Sequence, residues 1–354
     1  MRKYHEQRDE ARGLTTELCL VLAIAVVGTI AVSALAMAAI TTAAAYGYLS
    51  TVTNIVMPAD YWRHVFYDRL IQCGVLTLLA VGGTAAYKSW ELAEGGGRGV
   101  ARSLGGTRVS EPGSDPDRLK VLNVVEELAI ATGIRPPPVF VLNGEPGINA
   151  FAAGFNAKDA VIGVTQGAID RLKRHQLQGI IAHEFSHIIN GDMRLNIQIL
   201  GVLTGVQAIS IAARFLLRLA TPGSGKHPLG MVLALLFGAA LWPIGQIGSL
   251  FATLIHLAVN RQREFLADAS AVQFTRDPAG LCEALLILLD DEAGSRIVGP
   301  GARLASHMFF APSSGAWQRL LQTHPPIEER IRRLDPNGAT DSESLRLVTN
   351  APNA

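Results

Sequence analysis

Four long runs of apolar residues, separated by polar and basic segments, dominate the pattern along this chain. They cover residues 18–48, 70–87, 195–220 and 229–259. Each run approaches or exceeds the roughly 18–20 residues that a helix needs to cross a hydrocarbon core about 30 Å thick. Buried core helices of a soluble protein are the alternative, but four runs with so few charges favour four transmembrane helices.

The third and the first runs each have a feature that bears on whether they span the membrane. The third carries Arg214 and Arg218 in its last turns, where their side chains can extend to the membrane interface. The first follows a basic stretch, and the Ala-Leu-Ala sequence at residues 34–36 resembles a signal-peptide cleavage site. Because the apolar run continues well past that site, an uncleaved helix is favoured over a signal peptide.

The distribution of basic residues predicts the orientation of the spans. Arginine and lysine are frequent before the first run and after the second, whereas the loop between them contains only Arg63 and Arg69. The positive-inside rule therefore places the N-terminus and the region after the second run in the cytoplasm. The turn-forming segment 221–228 joins the third and fourth runs and is expected outside. The C-terminal region then returns to the cytoplasm.

The remaining sequence predicts a small domain that the third and fourth spans interrupt. The predicted order is an N-terminal segment with two transmembrane helices (1–93), a Gly-, Ser- and Pro-rich linker (94–117), the first part of the domain (118–194), a transmembrane hairpin (195–259), the second part of the domain (260–334) and a polar, disordered tail (335–354). Periodicity and turn residues predict helices over about 118–131, 166–172, 176–189, 263–274, 278–289 and 327–334, and strands over 139–142, 149–154 and 160–165. The expected fold class is an α-helical membrane protein with four transmembrane helices and a small α+β domain.

Composition excludes several classes of function. Only 17% of the residues are charged, 49% are apolar, and the formal net charge is +1. A nucleic-acid partner is therefore not indicated. The three cysteines form no C-x-x-C pair and no even-numbered set, which argues against both a disulfide framework and a thiolate zinc site.

The strongest chemical signal is the sequence His-Glu-Phe-Ser-His at residues 183–187. Residues four apart lie on one face of a helix, so His183 and His187 can bind the same metal ion. Glu184 then lies beside the open metal position, where it can act as general base toward a water molecule. The pattern predicts a zinc-dependent hydrolase; a surface helix with two solvated histidines is the alternative.

A catalytic zinc site needs a third protein ligand. The extended motif that supplies a third histidine is excluded, because Asn190 and Met193 occupy its glycine and histidine positions. Glu264 fits best, since Asp268 follows one helical turn later and can accept the outer N–H of a ligating histidine. The alternative for Glu264 is a carboxylate that stabilises a helix N-terminus.

Membrane topology provides an independent check on this ligand set. His187 and Glu264 must lie on the same side of the membrane to share a metal ion. The sequence between them must therefore cross the membrane an even number of times. It contains two predicted spans joined by one turn, which agrees with a shared site.

Taken together, these motifs resemble those of the HtpX-type membrane zinc metalloproteases, which are relatives of the CAAX prenyl proteases. The resemblance covers about residues 118–334 and the four-span layout, and it rests on motifs at 149–154, 183–187, 261–268 and 323–326. Asn260 stands where the family usually has serine, and the N-terminal extension and polar tail lie outside the pattern. The resemblance implies a zincin-like domain in a bacterial inner membrane and a role in the quality control of misfolded or membrane proteins.

The same resemblance implies roles for two further residues. Asn149 and His324 are candidates for holding the substrate backbone or stabilising the tetrahedral intermediate. Each residue also has an alternative, purely structural role: Asn149 can be a strand-start residue, and His324 can belong to a proline turn. The segment 149–154 could also offer an edge strand to an extended polypeptide substrate. One Zn²⁺ per chain is the only cofactor expected.

The sequence is also compatible with two other functions. The first is CAAX-type processing of prenylated peptides, although those relatives carry additional spans that enclose a chamber. The second is a membrane scaffold or transporter with a structural zinc ion. Transporters tend to place ionisable groups within the membrane, and these spans have almost none. A structural zinc ion would also not need Glu184.

Overall fold

The computed structural model describes residues 2–109, 115–221, 228–290 and 325–335 of the 354-residue chain. His324, residues 222–227 of the predicted outer turn and the tail from residue 336 lie outside the described residues. The elements in chain order are α1 (Arg2–Val52), α2 (Ala59–Glu94), α3 (Gly96–Ser103), β1 (Thr107–Arg108), α4 (Pro116–Thr132), β2 (Val139–Leu142), β3 (Ala150–Ala153), β4 (Val161–Thr165), α5 (Gln166–Arg171), α6 (Arg174–Asn190), α7 (Asp192–Leu219), α8 (Pro228–Thr275), α9 (Pro278–Asp290) and α10 (Ile327–Leu334).

Four of these helices, α1, α2, α7 and α8, are long and apolar enough to cross a membrane. They contain the four apolar runs of the sequence, which confirms the predicted membrane class. The chain divides into two compact units. A membrane unit is drawn from residues 18–91 and 198–256, and an α+β unit is drawn from residues 1–17, from 92–197 and from residue 257 onward.

Glycines of α7 allow close helix packing in the membrane unit. A Cβ atom added to Gly205 would lie 2.5 Å from the carbonyl oxygen of Val81 on α2. One turn earlier, a Cβ atom at Gly201 would lie 2.7 Å from the carbonyl oxygen of Ala85. Two glycines four residues apart therefore let the two backbones approach, as small residues commonly do between membrane helices.

The α+β unit contains a four-stranded sheet in the order β1-β2-β4-β3. The pair β2 and β4 is parallel, whereas β1 pairs with β2 and β3 pairs with β4 in antiparallel fashion. The hairpin predicted over residues 149–165 is thus present, and β3 is the terminal strand on its side of the sheet. Every residue of β2, β3 and β4 is buried.

Helices cover both faces of this sheet, which explains why its strands are apolar throughout. Val139 and Val141 belong to the large core that includes residues of α4, α6 and α9. Phe140 and Leu142, which alternate with them along β2, pack instead with Ala101 and Leu104 from the α3 region. Successive side chains of a strand point to opposite faces, so two covered faces require an unbroken apolar run.

The predicted linker over residues 94–117 is wrong in one respect, because the structure places α3 and β1 within it. Gly97 and Ala101 are the buried residues of α3, too few to stand out among glycine, serine and charge. Gly97 has a specific role there, since an added Cβ atom would lie 2.7 Å from the carbonyl oxygen of Asp159 and would also strike that of Ala153. Glycine therefore lets α3 lie directly against the backbone near β3.

The helix predicted to begin near residue 263 is instead the continuation of the fourth span. The single helix α8 extends from Pro228 to Thr275, with Pro243 in its interior. No glycine or proline lies between the end of the apolar run at residue 259 and Glu264, so nothing in the sequence stops the helix there. The predicted third metal ligand thus lies on the same helix as a membrane span.

Candidate active site

Helix α6 carries the His-Glu-Phe-Ser-His motif, and its residues 179–186 are all buried. His183 is fully buried and Glu184 is 2% exposed. The helix ends at Gly191, whose φ of +71° lies in the left-handed region and whose N–H bonds to the carbonyl oxygens of His187 and Ile188. Glycine at this position closes the helix without steric strain, and α7 begins at the next residue.

Three side chains converge into one potential metal site. His183 and His187 from α6 and Glu264 from α8 each place a ligand atom within 4.8 Å of the others. The two Nε2 atoms are 3.1 Å apart, and they lie 3.5 Å and 3.6 Å from the carboxylate oxygens of Glu264. The structure therefore brings together the residues that the sequence predicted as ligands.

Each histidine faces a carboxylate on its other ring nitrogen. His183 Nδ1 lies 2.9 Å from Asp268 Oδ1, and His187 Nδ1 lies 2.7 Å from Asp192 Oδ2. We assign the ring proton to Nδ1 in both cases, because a carboxylate can only accept a hydrogen bond; at His183 this 2.9 Å contact is shorter than the 3.3 Å contact of Nδ1 with Arg330 Nη2.

This tautomer directs two Nε2 lone pairs toward each other and toward the Glu264 carboxylate. In a buried site, three converging electron-pair donors repel one another unless a cation lies between them. The donor set therefore fits a divalent metal ion, and two imidazoles with one carboxylate leave a further position for water or substrate.

Arg330 is a residue of the site that the sequence interpretation missed. It is 1% exposed on α10, and its Nε and Nη2 atoms donate to the two oxygens of Asp268 at 2.9 Å and 2.7 Å. Its Nη1 atom also lies 3.5 Å from Glu264. Burial alone would lower the pKa of the Arg330 guanidinium, but the adjacent Asp268 carboxylate raises it, so the cation is retained.

A second arginine supports the other carboxylate. Arg263, which precedes Glu264 on α8, forms an ion pair with Asp192 at the first position of α7. The same guanidinium donates to the carbonyl oxygen of Asn190 at 2.9 Å. Each histidine is thus held by a carboxylate that an arginine neutralises.

For Arg330 and for Asp192, the sequence contains a feature that indicates a role in the site. The apolar residues of α10 recur at positions 327, 331 and 334, and Arg330 lies on the same face. A cation on an apolar helix face requires a buried partner. Asp192 directly follows the Asn-Gly helix stop, five residues after His187, but its partner Arg263 is distant in sequence.

Glu184 lies next to the terminal strand of the sheet. Loss of solvent around this buried carboxyl raises its pKa above the ordinary value, and the nearby Glu264 adds to the increase. A hydrogen bond from the backbone of Ala152 on β3 acts in the opposite direction. A carboxyl group with a raised pKa is suited to accept and return a proton near neutral pH.

Of the other predicted site residues, Asn149 lies within the described part of the chain. It is fully buried just before β3, and its Oδ1 accepts a hydrogen bond from the N–H of Ala150 at 2.9 Å. Its backbone N–H donates to Thr165 Oγ1 at 2.9 Å. These hydrogen bonds hold the start of β3, and the predicted part of Asn149 in substrate binding stays a prediction. His324 lies outside the described residues.

Fold and site together define a class of protein: a metallopeptidase in which the helices of a potential metal site are joined in sequence to membrane-crossing ones. Comparison with protein families agrees, since the model for Peptidase family M48 matches residues 117–337. The chain belongs to this family, and it is a membrane-bound metalloprotease that acts on polypeptides.

The chain is also similar in sequence to individual proteases. A protease HtpX homologue of Caldanaerobacter subterraneus subsp. tengcongensis is 40% identical over 238 residues, which is 64% of this chain and 75% of the relative. One from Streptococcus pneumoniae is 34% identical over 245 residues, covering 66% and 78% respectively. The crystal structure of Ste24p from S. mikatae matches with a TM-score of 0.42 and 18% identity, over 78% of this chain and 67% of the Ste24p chain.

Removal of the Asp192 carboxylate should weaken metal binding. Asp192→Ala leaves His187 without the partner that fixes its ring and tautomer, so we expect an affinity loss of about 10-fold to 100-fold. Competition with a chelator of known affinity measures this. Asp170→Ala removes an exposed carboxylate on α5 and serves as the matched control. Equal affinities in the two variants would refute the role of Asp192.

Removal of Arg330 should destabilise the metal-free fold. Arg330→Met leaves the Asp268 carboxylate buried without its cation, at an expected cost of about 3–5 kcal/mol in unfolding free energy. Adding Asp268→Asn should recover most of that loss, because it removes the buried charge that lost its closest cation. Thermal unfolding in detergent compares the single and double variants. A double variant less stable than Arg330→Met would contradict the ion-pair explanation.

Proposed function

We propose that the protein is a zinc-dependent endopeptidase that degrades misfolded or membrane proteins at the cytoplasmic face of a bacterial inner membrane. The observation that carries this proposal is the convergence of His183, His187 and Glu264 beside the buried Glu184. Zn²⁺ is the ion that two neutral imidazoles and one carboxylate hold most commonly in metallopeptidases. His183, His187 and Glu264 are therefore the proposed ligands.

The chemistry is divided between the metal and Glu184. When bound, the ion acts as a Lewis acid that polarises the scissile carbonyl and makes water more acidic. Glu184 accepts the proton of the attacking water and then passes it to the nitrogen of the leaving amine. Asp268 and Asp192 keep the two imidazoles in the tautomer that presents Nε2, and Arg330 and Arg263 keep those carboxylates charged.

Strand β3 is the proposed binding surface for substrate. It is the terminal strand of the sheet, and its Ala152 backbone contacts Glu184. An extended polypeptide that pairs with such a strand brings its own backbone to the catalytic carboxylate without needing a particular side chain. This mode suits unfolded segments of many sequences. Asn149 at the start of β3, and His324, three residues before α10 in the sequence, are proposed to hold the substrate backbone or the tetrahedral intermediate.

Aromatic residues at both ends of α2 support the membrane placement. Tyr61 and Trp62 stack edge-to-face near its start, with ring centroids 5.3 Å apart, and Tyr87 and Trp90 are 6.0 Å apart near its end. Along a helix, Trp62 and Trp90 are separated by about 42 Å. This matches a bilayer with its headgroups, about 40–45 Å thick. The basic residues in the first turns of α1, before its apolar run, and those after α2 favour the cytoplasmic side for the α+β unit.

Replacement of the general base tests the proposal. The purified full-length protein with zinc should cleave unfolded casein, and Glu184→Gln should lower kcat by about 10²-fold to 10⁴-fold because proton transfer is lost. The metal content of the variant should stay at that of the wild type. Glu127→Gln, an exposed glutamate on α4, is the matched control and should retain activity.

Three results would contradict the proposal. Unchanged proteolysis in Glu184→Gln would exclude this mechanism. Tightly held zinc without proteolysis in either protein would favour a structural zinc in a membrane scaffold. Cleavage confined to prenylated peptides would indicate CAAX-type processing instead of general degradation.

A further inference from the structure

The first residues of α1 form a packed part of the α+β unit. We call residues 6–17, which precede the first apolar run, the N-terminal segment. Ala11 and Thr15 within it are only 4% and 5% exposed. Ala11 and Leu14 line a small cavity together with Phe265 and Asp268 of α8. The N-terminal segment is therefore not simply a solvated basic end of a membrane helix.

A hydrogen bond connects this segment to the end of the metal-binding helix. Arg12 Nη2 donates to Asn190 Oδ1 at 2.7 Å. Asn190 is the last residue of α6 and lies three residues after His187. Its Nδ2 donates to the carbonyl oxygen and the Oγ of Ser186 at 3.0 Å and 2.8 Å. Arg12 thus holds the side chain that is bonded to the helical turn carrying a metal ligand.

Asn190 is also bonded to the partners of His187. Its carbonyl oxygen accepts from Arg263 Nη2, and Arg263 is paired with Asp192, which accepts from His187 Nδ1. A continuous polar chain therefore leads from Arg12 to the imidazole. The carbonyl end of a helix carries partial negative charge, so the cations Arg12 and Arg263 are both favourably placed at the end of α6.

The geometry points to the N-terminal segment as a positioning element of the metal site. We infer that Arg12 acts through Asn190 on the orientation of His187, and so on metal affinity and coordination geometry. The inference rests on the proposed role of His187 as a ligand. It gives a function to a segment outside the family motifs, one that continues without a break into the first membrane span.

The test measures metal binding by the full-length protein in detergent. Arg12→Ala should weaken Zn²⁺ affinity about threefold to tenfold, the equivalent of one exposed, charge-assisted hydrogen bond. The visible absorption spectrum of the Co²⁺-substituted protein should change as well, because the ring of His187 is held less firmly. Arg12→Lys keeps a cationic donor and should recover most of the affinity. Arg98→Ala, an exposed arginine on α3, is the matched control and should match the wild type.

A double variant tests the path. If Arg12 acts through Asn190, Arg12→Ala combined with Asn190→Ala should bind Zn²⁺ no more weakly than Asn190→Ala alone. Additive losses, or an Arg12→Ala variant with wild-type affinity and spectrum, would overturn the inference. Those results would leave the proposed function standing, provided that the wild type binds one ion and cleaves protein. A wild type that binds no metal ion would instead overturn both.

Discussion

The site depends on the burial of several charged and polar groups within a small volume. His183, Glu184, Glu264 and Asp268 are all nearly inaccessible to solvent. A buried carboxylate is costly unless a cation or hydrogen-bond donor compensates it. Arg330 compensates Asp268 directly, and the imidazole of His183 is oriented as a consequence. The remaining convergence of two Nε2 atoms on Glu264 is what a divalent cation would stabilise.

The sequence of the α+β unit is interrupted between the two parts of the candidate site. His183 and His187 lie on α6, which ends at Gly191 immediately before the third membrane helix. Glu264 lies on α8, after the apolar run of the fourth membrane helix. Because α8 does not break between that run and Glu264, the carboxylate is carried by a helix and not by a loop. Asp192 and Arg263 pair the first turn of α7 with this same helix.

Local patterns made much of the fold and site predictable. The four apolar runs, the hairpin before α5 and the spacing of His183 and His187 are all properties of short windows of sequence. Glu264 and Asp268 could be chosen because they share one helix face. The structure places all four of these site residues together, and their roles as ligands and partners stay predictions until metal is measured.

Contacts between segments that are distant in sequence could not be predicted from local patterns. The roles of Arg330, Asp192 and Arg263 depend on contacts among α6, α7, α8 and α10. The sequence of α3 predicts a linker because its glycines, which permit close packing against the backbone at Ala153, are also the residues typical of loops. The change from apolar to polar residues at 259 predicts a helix end, although α8 continues to Thr275.

The most direct measurement is the metal content of the purified protein compared with that of Glu264→Ala. The wild type should contain one zinc ion per chain after exhaustive dialysis. In Glu264→Ala, X-ray absorption or chelator competition should show the loss of that ion, or its retention at far lower affinity with one protein ligand fewer. Full, equally tight occupancy in the variant would show that the carboxylate from beyond the membrane hairpin is not a ligand, and the account of the site would be wrong.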